Sequence, residues 1–118
     1  RVFSRYIPLN PGLSHNFSFS FLSHRHALAR YDGWLLARVK GASEYDRIWA
    51  MLRSYNGGLG HWRREARVAG SHDRAAVDAA CGRARRAHVH CKENLDYPRR
   101  ILDALQPRYA RWGRMVRA

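Results

Sequence analysis

Long apolar runs, lysines and acidic residues are all scarce in this sequence. The longest apolar candidate, residues 17–22, is interrupted by serines and falls far short of the roughly 20 residues that a membrane-spanning helix needs. We therefore expect no membrane span. Only Lys40 and Lys92 are lysines among 22 basic residues, and nine acidic residues leave a net charge of +13. This charge predicts an anionic partner, which could be nucleic acid, an anionic cell-envelope polymer or lipid headgroups.

Cysteine is also rare, and its placement leaves two interpretations open. Cys81 and Cys91 are the only cysteines, and two histidines, His88 and His90, lie beside the second. The paired spacing of a structural zinc site is absent, so we predict no metal and no other cofactor. The two cysteines could form a disulfide, which would stabilise the fold by about 2–3 kcal/mol, or remain as free thiols.

What is abundant is apolar and aromatic side chains, at 46% and 12% of the 118 residues. This composition predicts one folded domain rather than a disordered chain. Alternating polar and aromatic residues at 16–21 fit a short strand or an extended arm, within an irregular segment 1–26. Apolar residues at helical spacing then predict a mainly α fold. The predicted helices cover residues 27–40, 43–56, 61–68, 73–80 and 94–105.

Several helix ends carry local signals. Ser43 followed by Asp46 three residues later is close to a capping box, and the glycines at 57 and 58 predict the end of the same helix. Gly41 stands where a C-terminal cap of the preceding helix is expected. Pro98 is tolerated best in a first turn, so the last helix is predicted to begin near residues 95–97.

Three segments in this order resemble the lytic transglycosylases of the lysozyme superfamily (the SLT or goose-type lysozyme-like domain). Residues 52–60, with Tyr-Asn-Gly-Gly at 55–58, resemble the family's A-Y-N-A/G-G-P-G segment. Residues 33–39 resemble its G-x-x-Y-L-x-x-L helix, and residues 93–102 resemble its E-T-x-x-Y-V-x-x-V/I-L segment. The match covers roughly residues 27–105. Phage endolysins that carry this domain show a similar Tyr-Asn-Gly-Gly and a nearby cysteine pair.

The resemblance implies the later, helical part of a lysozyme-like domain, over residues 27–112, in a chain that is one domain or a fragment of one. It also implies a glycan groove on peptidoglycan strands, with Tyr97 near the catalytic acid and Glu93 supporting it. The substrate-binding candidates are Tyr55, Asn56, Gly57, Gly58, Glu93 and Tyr97. Side-chain-free glycines would let a sugar approach the backbone. The alternatives are plain packing for Tyr55, helix capping for Asn56 and a helix-dipole role for Glu93.

The family's catalytic glutamate belongs to an E-S motif followed by G-L-x-Q, and neither motif is present here. The three glutamates are weak candidates. Glu44 lies at an exposed helix start, Glu65 is surrounded by arginines that would lower its pKa, and Glu93 matches a supporting position. The catalytic residue therefore stays unassigned, and we expect a fragment or a divergent member of the family.

The first functional hypothesis is a peptidoglycan-cleaving endolysin, either a lytic transglycosylase or a muramidase. We expect it to act as a monomer at the bacterial cell wall, in the periplasm, either phage-encoded and released from the host cytoplasm or carried in a virion. The second hypothesis is a basic nucleic-acid-binding protein, supported by interleaved arginines and aromatics at 109–112. The third is a non-catalytic glycan-binding or virion structural component.

Overall fold

The computed structural model describes residues 29–84 and 86–118. This part of the chain is mainly helical and contains no strand, which confirms the predicted mainly α class. The strand or arm at 16–21, and the start of the first helix at Ala27, lie outside the described residues. The elements, in chain order, are α1 (29–36), α2 (Glu44–Gly57), α3 (Leu59–Ala69), α4 (Arg74–Ala79), a 3-10 turn (Gly82–Ala84), α5 (His88–Arg99), a π-helical turn (Arg100–Leu105) and a 3-10 helix (Gln106–Trp112).

Two apolar clusters hold these elements together, and α2 contributes to both. The first joins α1 to α2, α3 and α4 through a set of buried side chains: Tyr31, Leu35, Val39, Ala50, Leu59, Trp62, Ala66 and Val77. The second joins α2 to the C-terminal part through Tyr45, Trp49, Leu52 and Leu102. The helix predicted over 43–56 has its apolar residues at helical spacing, and most of them are buried, as that spacing requires.

The predicted start of α2 is confirmed. The Ser43 hydroxyl accepts a hydrogen bond from the Asp46 amide at 3.1 Å, which satisfies one of the free N–H groups of the first turn. Asp73 caps α4 in the same way, accepting from the Ala76 amide at 3.1 Å. Both caps fix the direction in which a helix leaves its loop.

The predicted end of the first helix is wrong. Regular helix stops at residue 36 rather than Lys40, and the carbonyl of Leu36 accepts two hydrogen bonds from the Arg47 guanidinium, at 2.7 and 3.1 Å. Gly41 is not the cap, because the helix ends at residue 36, well before it. A Cβ atom at Gly41 would lie 2.7 Å from Arg47 Cα. The glycine instead lets the loop pass close to the backbone of α2.

The predicted start of the last helix is also wrong. α5 begins at His88, so Pro98 lies in its last turn rather than its first. Proline cannot donate to the helix ladder, and the chain continues beyond it as the π-helical turn Arg100–Leu105. Leu105, the last residue of the helix predicted over 94–105, is 43% exposed. Among the described residues, no helix is both long and apolar enough to cross a membrane.

Candidate functional site

The turn between α2 and α3 is built on Gly58. Its backbone has φ +103°, a conformation that side chains disfavour, and its N–H donates to the Ser54 carbonyl at 2.8 Å. Its own carbonyl accepts from the Trp62 amide at 3.3 Å, so one residue ends α2 and begins α3. The Gly58 N–H is therefore already engaged within the protein.

Gly57 is required by close packing. A Cβ atom there would collide with the Arg86 guanidinium and lie 2.7 Å from Asn94 Nδ2. Asn56 also contacts Asn94, because the Asn56 Oδ1 accepts a hydrogen bond from Asn94 Nδ2 at 3.1 Å. The Tyr-Asn-Gly-Gly segment is thus seated against α5 by the side chain of Asn94.

Asn94 belongs to a buried polar cluster centred on Arg53, which we call the Arg53 network. Its members come from five parts of the fold: Arg53, Glu65, Asp78, Arg86 and Asn94. Arg53 is fully buried and contacts Glu65 Oε1 in an ion pair, Asp78 Oδ1 at 3.2 Å and Asn94 Oδ1 at 2.8 and 3.0 Å. A buried charge is stable only when it is paired and hydrogen-bonded, and all three nitrogens of this guanidinium have partners.

Arg86 completes the Arg53 network from the loop before α5. Its Nη1 lies 3.2 Å from Glu65 Oε2 and donates to Asn94 Oδ1 at 3.1 Å. Asn94 Nδ2 in turn donates to the Arg53 carbonyl at 2.9 Å. Burial raises the pKa of Asp78, and the Arg53 guanidinium partly opposes this. The network fixes the relative positions of α2, α3, α4 and α5.

Of the two interpretations of the cysteine pair, the structure has the disulfide. Cys81 and Cys91 are bonded, with their Cα atoms 6.0 Å apart. Arg53 Nη2 lies 3.6 Å from Cys81 Sγ, so the disulfide adjoins the Arg53 network. It joins the chain after α4 to the first turn of α5, the helix that carries Asn94 and Tyr97.

In the described part of the chain, no group of three or more His, Cys, Asp or Glu side chains could hold a metal ion.

On α2, two residues beyond Arg53, Tyr55 belongs to a line of aromatic rings that we call the aromatic row: Trp34, Tyr31, Tyr55 and Tyr97. Tyr55 stacks with Tyr97 at 6.0 Å between ring centroids and meets Tyr31 at 5.8 Å, and Tyr31 stacks with Trp34 at 6.1 Å. Tyr31 is buried, whereas the other three rings are half-buried. The two tyrosines expected to share a groove are therefore in contact.

Asp32 is half-buried on α1 and follows Tyr31 of the aromatic row in the sequence. Burial raises the pKa of Asp32 above its ordinary value. Burial also raises the pKa of the Tyr97 hydroxyl, with smaller contributions in the same direction from Tyr55 and Asp32, and Arg100 opposes them. The row thus combines half-exposed aromatic faces with a carboxyl group that keeps its proton to a higher pH than usual.

The surroundings of the three glutamates differ from those of the half-buried Asp32. Glu44 is exposed and forms a two-point ion pair with Arg114, at 3.0 and 2.9 Å, and the hydrogen bond from Arg114 lowers the pKa of Glu44. Glu65 is buried with one oxygen held by Arg53 and the other by Arg86. Glu93 is exposed on α5, one turn before Tyr97.

Sequence reasoning did not identify Arg53 or Asp32 as important. The signal for Arg53 was its position, since it lies one turn after Trp49 on the face that the apolar stripe buries. A lone arginine among aromatic residues on that face predicts a buried ion pair. Asp32 carried no comparable signal, because its neighbours across the row come from α5, far away in sequence.

No protein-family model, no curated protein and no solved structure matches the chain.

Proposed function

We propose that this protein binds and cleaves the glycan strands of peptidoglycan, as a lytic transglycosylase or a muramidase of the lysozyme-like type. The observation that carries the proposal is the stacking of Tyr55 on Tyr97. These residues occupy two separate motifs in the resemblance to lytic transglycosylases, about forty residues apart, and both motifs are expected to line one sugar groove. The net charge of +13 would draw the protein to an anionic cell envelope.

The chemistry of the aromatic row suits a sugar chain. The half-buried rings of Trp34, Tyr55 and Tyr97 retain exposed area that can cover the apolar faces of successive sugar rings. Phenolic hydroxyls can donate to or accept from sugar hydroxyls. The Arg53 network positions α2, which carries Tyr55. Asn94 connects α2 to α5, which carries Tyr97, through its hydrogen bonds with Arg53.

Cleavage of the lysozyme-like type needs a carboxyl group whose pKa is raised by its surroundings, so that it can act as a proton donor. It protonates the glycosidic oxygen between N-acetylmuramic acid and N-acetylglucosamine, and the carboxylate then takes the proton of the muramoyl 6-hydroxyl as the anhydro ring closes. Asp32 is half-buried on α1, next to Tyr31 of the aromatic row; burial raises its pKa, and its charge acts on Tyr97. We assign Asp32 the acid role in this proposal.

The proposal is tested with purified sacculi. The unaltered chain is expected to release soluble glycan fragments, with anhydro ends for a transglycosylase and reducing ends for a hydrolase. Tyr55→Ala and Tyr97→Ala are each expected to reduce the release at least tenfold, because each removes a stacking face. Tyr109→Ala is the matched control, since Tyr109 is 63% exposed and lies outside the aromatic row.

Two further variants distinguish the roles of the Tyr97 ring, the Tyr97 hydroxyl and the Asp32 carboxyl group. Tyr97→Phe keeps the ring and is expected to retain more activity than Tyr97→Ala. Asp32→Asn is expected to abolish cleavage while sacculus binding remains within about twofold. The proposal fails if the unaltered chain neither binds nor cleaves sacculi, or if Tyr109→Ala impairs it as much as the variants in the row.

A second candidate function, nucleic-acid binding, is favoured by one observation at the C-terminal 3-10 helix. Tyr109 and Trp112 are 63% and 74% exposed, and the Arg111 guanidinium lies 5.0 Å from the Trp112 ring. Exposed rings beside arginines suit base stacking and phosphate contact. Affinity for single-stranded DNA that falls steeply with salt, and that Trp112→Ala weakens, would support this function.

A further inference from the structure

A concave surface lies between the end of α1 and α3, and we call it the basic pocket. Its volume is about 400 Å³. Basic and aromatic side chains line most of it, namely Arg38, Lys40, Trp62, Arg63, Arg67 and His72. No carboxylate is among the described residues that line it. The pocket therefore has a positive rim that is not neutralised from within.

Two of the charges of the rim come from one face of α3. Arg63 and Arg67 are one helical turn apart and both are exposed. Two like charges at this spacing cost a helix roughly 0.2–0.5 kcal/mol. The nearest acidic residue of α3, Glu65, is turned into the core, where Arg53 and Arg86 hold both its oxygens. An anionic ligand would neutralise the charges of Arg63 and Arg67, which no acidic side chain of α3 neutralises.

The floor of the basic pocket is apolar and firmly packed. Trp62 is only 5% exposed and stacks with His72 at 6.1 Å between ring centroids. On the α1 side, the Arg38 guanidinium lies 3.9 Å from the centre of the Trp34 ring and donates to the Trp34 carbonyl at 3.0 Å. Arg38 therefore contacts both the ring and the carbonyl of Trp34, and it connects the pocket to the end of the aromatic row.

We propose that the basic pocket binds a phosphorylated sugar of the cell envelope. Arginine guanidinium groups match the geometry of phosphate oxygens in two-point contacts, and the apolar floor faces the sugar ring. A single hollow of this volume is the size of a small-ligand site, whereas a nucleic-acid strand requires an extended track. The envelope as the source of the ligand rests on the proposed function, and the connection through Arg38 and Trp34 would place the phosphate beside a bound glycan strand.

The test measures binding of N-acetylglucosamine 1-phosphate by calorimetry, with N-acetylglucosamine and inorganic phosphate as separate arms. The sugar phosphate is expected to bind at least tenfold more tightly than either fragment. Arg63→Gln combined with Arg67→Gln is expected to weaken its binding at least tenfold. The control is Arg108→Gln with Arg117→Gln, which removes the same charge from exposed residues outside the pocket and is expected to change binding less than twofold.

Three outcomes would overturn the proposal. Equal losses in the two double variants would mean that only net charge matters. Equal affinity for sugar phosphate and inorganic phosphate would remove the role of the sugar. Tighter binding of an oligodeoxythymidine through Arg63 and Arg67 would assign the pocket to nucleic acid. Cleavage of phosphate-free sacculi is measured separately. If the unaltered chain cleaves sacculi but does not bind the sugar phosphate, only this inference is rejected. If it binds the sugar phosphate but does not cleave sacculi, only the proposed function is rejected.

Discussion

The two ends of α2 each lie beside an arginine–glutamate ion pair, and the two pairs differ in their surroundings. Near the C-terminal end, Arg53 pairs with Glu65 and their side chains are 0% and 1% exposed. At the N-terminal end, Glu44 pairs with Arg114 and their side chains are 56% and 72% exposed. The residue types are the same, but water solvates only the second pair.

The difference shows that an ion pair's importance depends on what remains when one partner is lost. Exposed pairs contribute roughly 0–1 kcal/mol, because water replaces the lost partner. A buried charge left alone has no such replacement, so losing its partner costs several kcal/mol. In this protein the buried pair also sets the positions of the helices that carry Tyr55 and Tyr97, whereas the exposed pair attaches the C-terminal tail to the start of α2.

The largest effect is expected from Arg53→Leu. It leaves Glu65 buried with only Arg86 and removes hydrogen bonds to Asp78 and Asn94, so the free energy of unfolding should fall by about 3–5 kcal/mol. Chemical denaturation monitored by tryptophan fluorescence measures the change. Arg64→Leu, at an exposed position of α3, is the control and should change stability by less than about 0.5 kcal/mol. A loss below about 1 kcal/mol in Arg53→Leu would contradict the role of the buried pair.

An intermediate effect is expected from Gly57→Ala. The added methyl group would push against Asn94 and Arg86, and the free energy of unfolding should fall by about 1–3 kcal/mol. Gly60→Ala is the matched control, because Gly60 also lies in a helix but a Cβ atom there meets nothing within 4 Å. That variant should gain about 0.5–1 kcal/mol from helix propensity. The same sign for both substitutions would show that close packing at Gly57 does not decide its identity.

The smallest effect is expected from Glu44→Gln. Arg114 lowers the pKa of Glu44 in the folded protein below its ordinary value of 4.5. A lowered pKa means that this pair stabilises the fold above about pH 4.5, and that the stabilisation is lost as the pH falls through the folded value. The difference in stability between the unaltered chain and Glu44→Gln should therefore shrink below pH 4.5. If the difference is flat from pH 6 to pH 3, the pair contributes nothing measurable.

Much of the helical layout was predictable, because it depends on local chemistry. The cap at Ser43 and the burial of Trp49 and Leu52 follow from spacing along a single helix. The errors at the end of α1 and the start of α5 have a different cause. The end of α1 is set by contacts with α2: the Arg47 side chain binds the Leu36 carbonyl, and the Arg47 backbone lies close to Gly41. No local rule places Pro98 late in a helix.

The candidate site was predictable only in part. The resemblance selected Tyr55 and Tyr97, and the structure brings their rings together. It could not select Asp32, because the influence of Asp32 on Tyr97 depends on how α1 and α5 pack. Gly57 was predicted to leave room for a sugar, whereas Arg86 and Asn94 occupy the space where its Cβ atom would be.

The sequence by itself determined the mainly helical class, the glycine turn that separates α2 from α3, and a positive charge that favours anionic partners. These properties depend on backbone preferences and composition, which act within a few residues or over the whole chain. Only the tertiary structure decided which arginine is buried, which carboxyl group influences Tyr97, and that Arg63 and Arg67 border a pocket. Burial and pairing are created when distant segments pack, because the cost of removing a charge from water depends on everything that surrounds it.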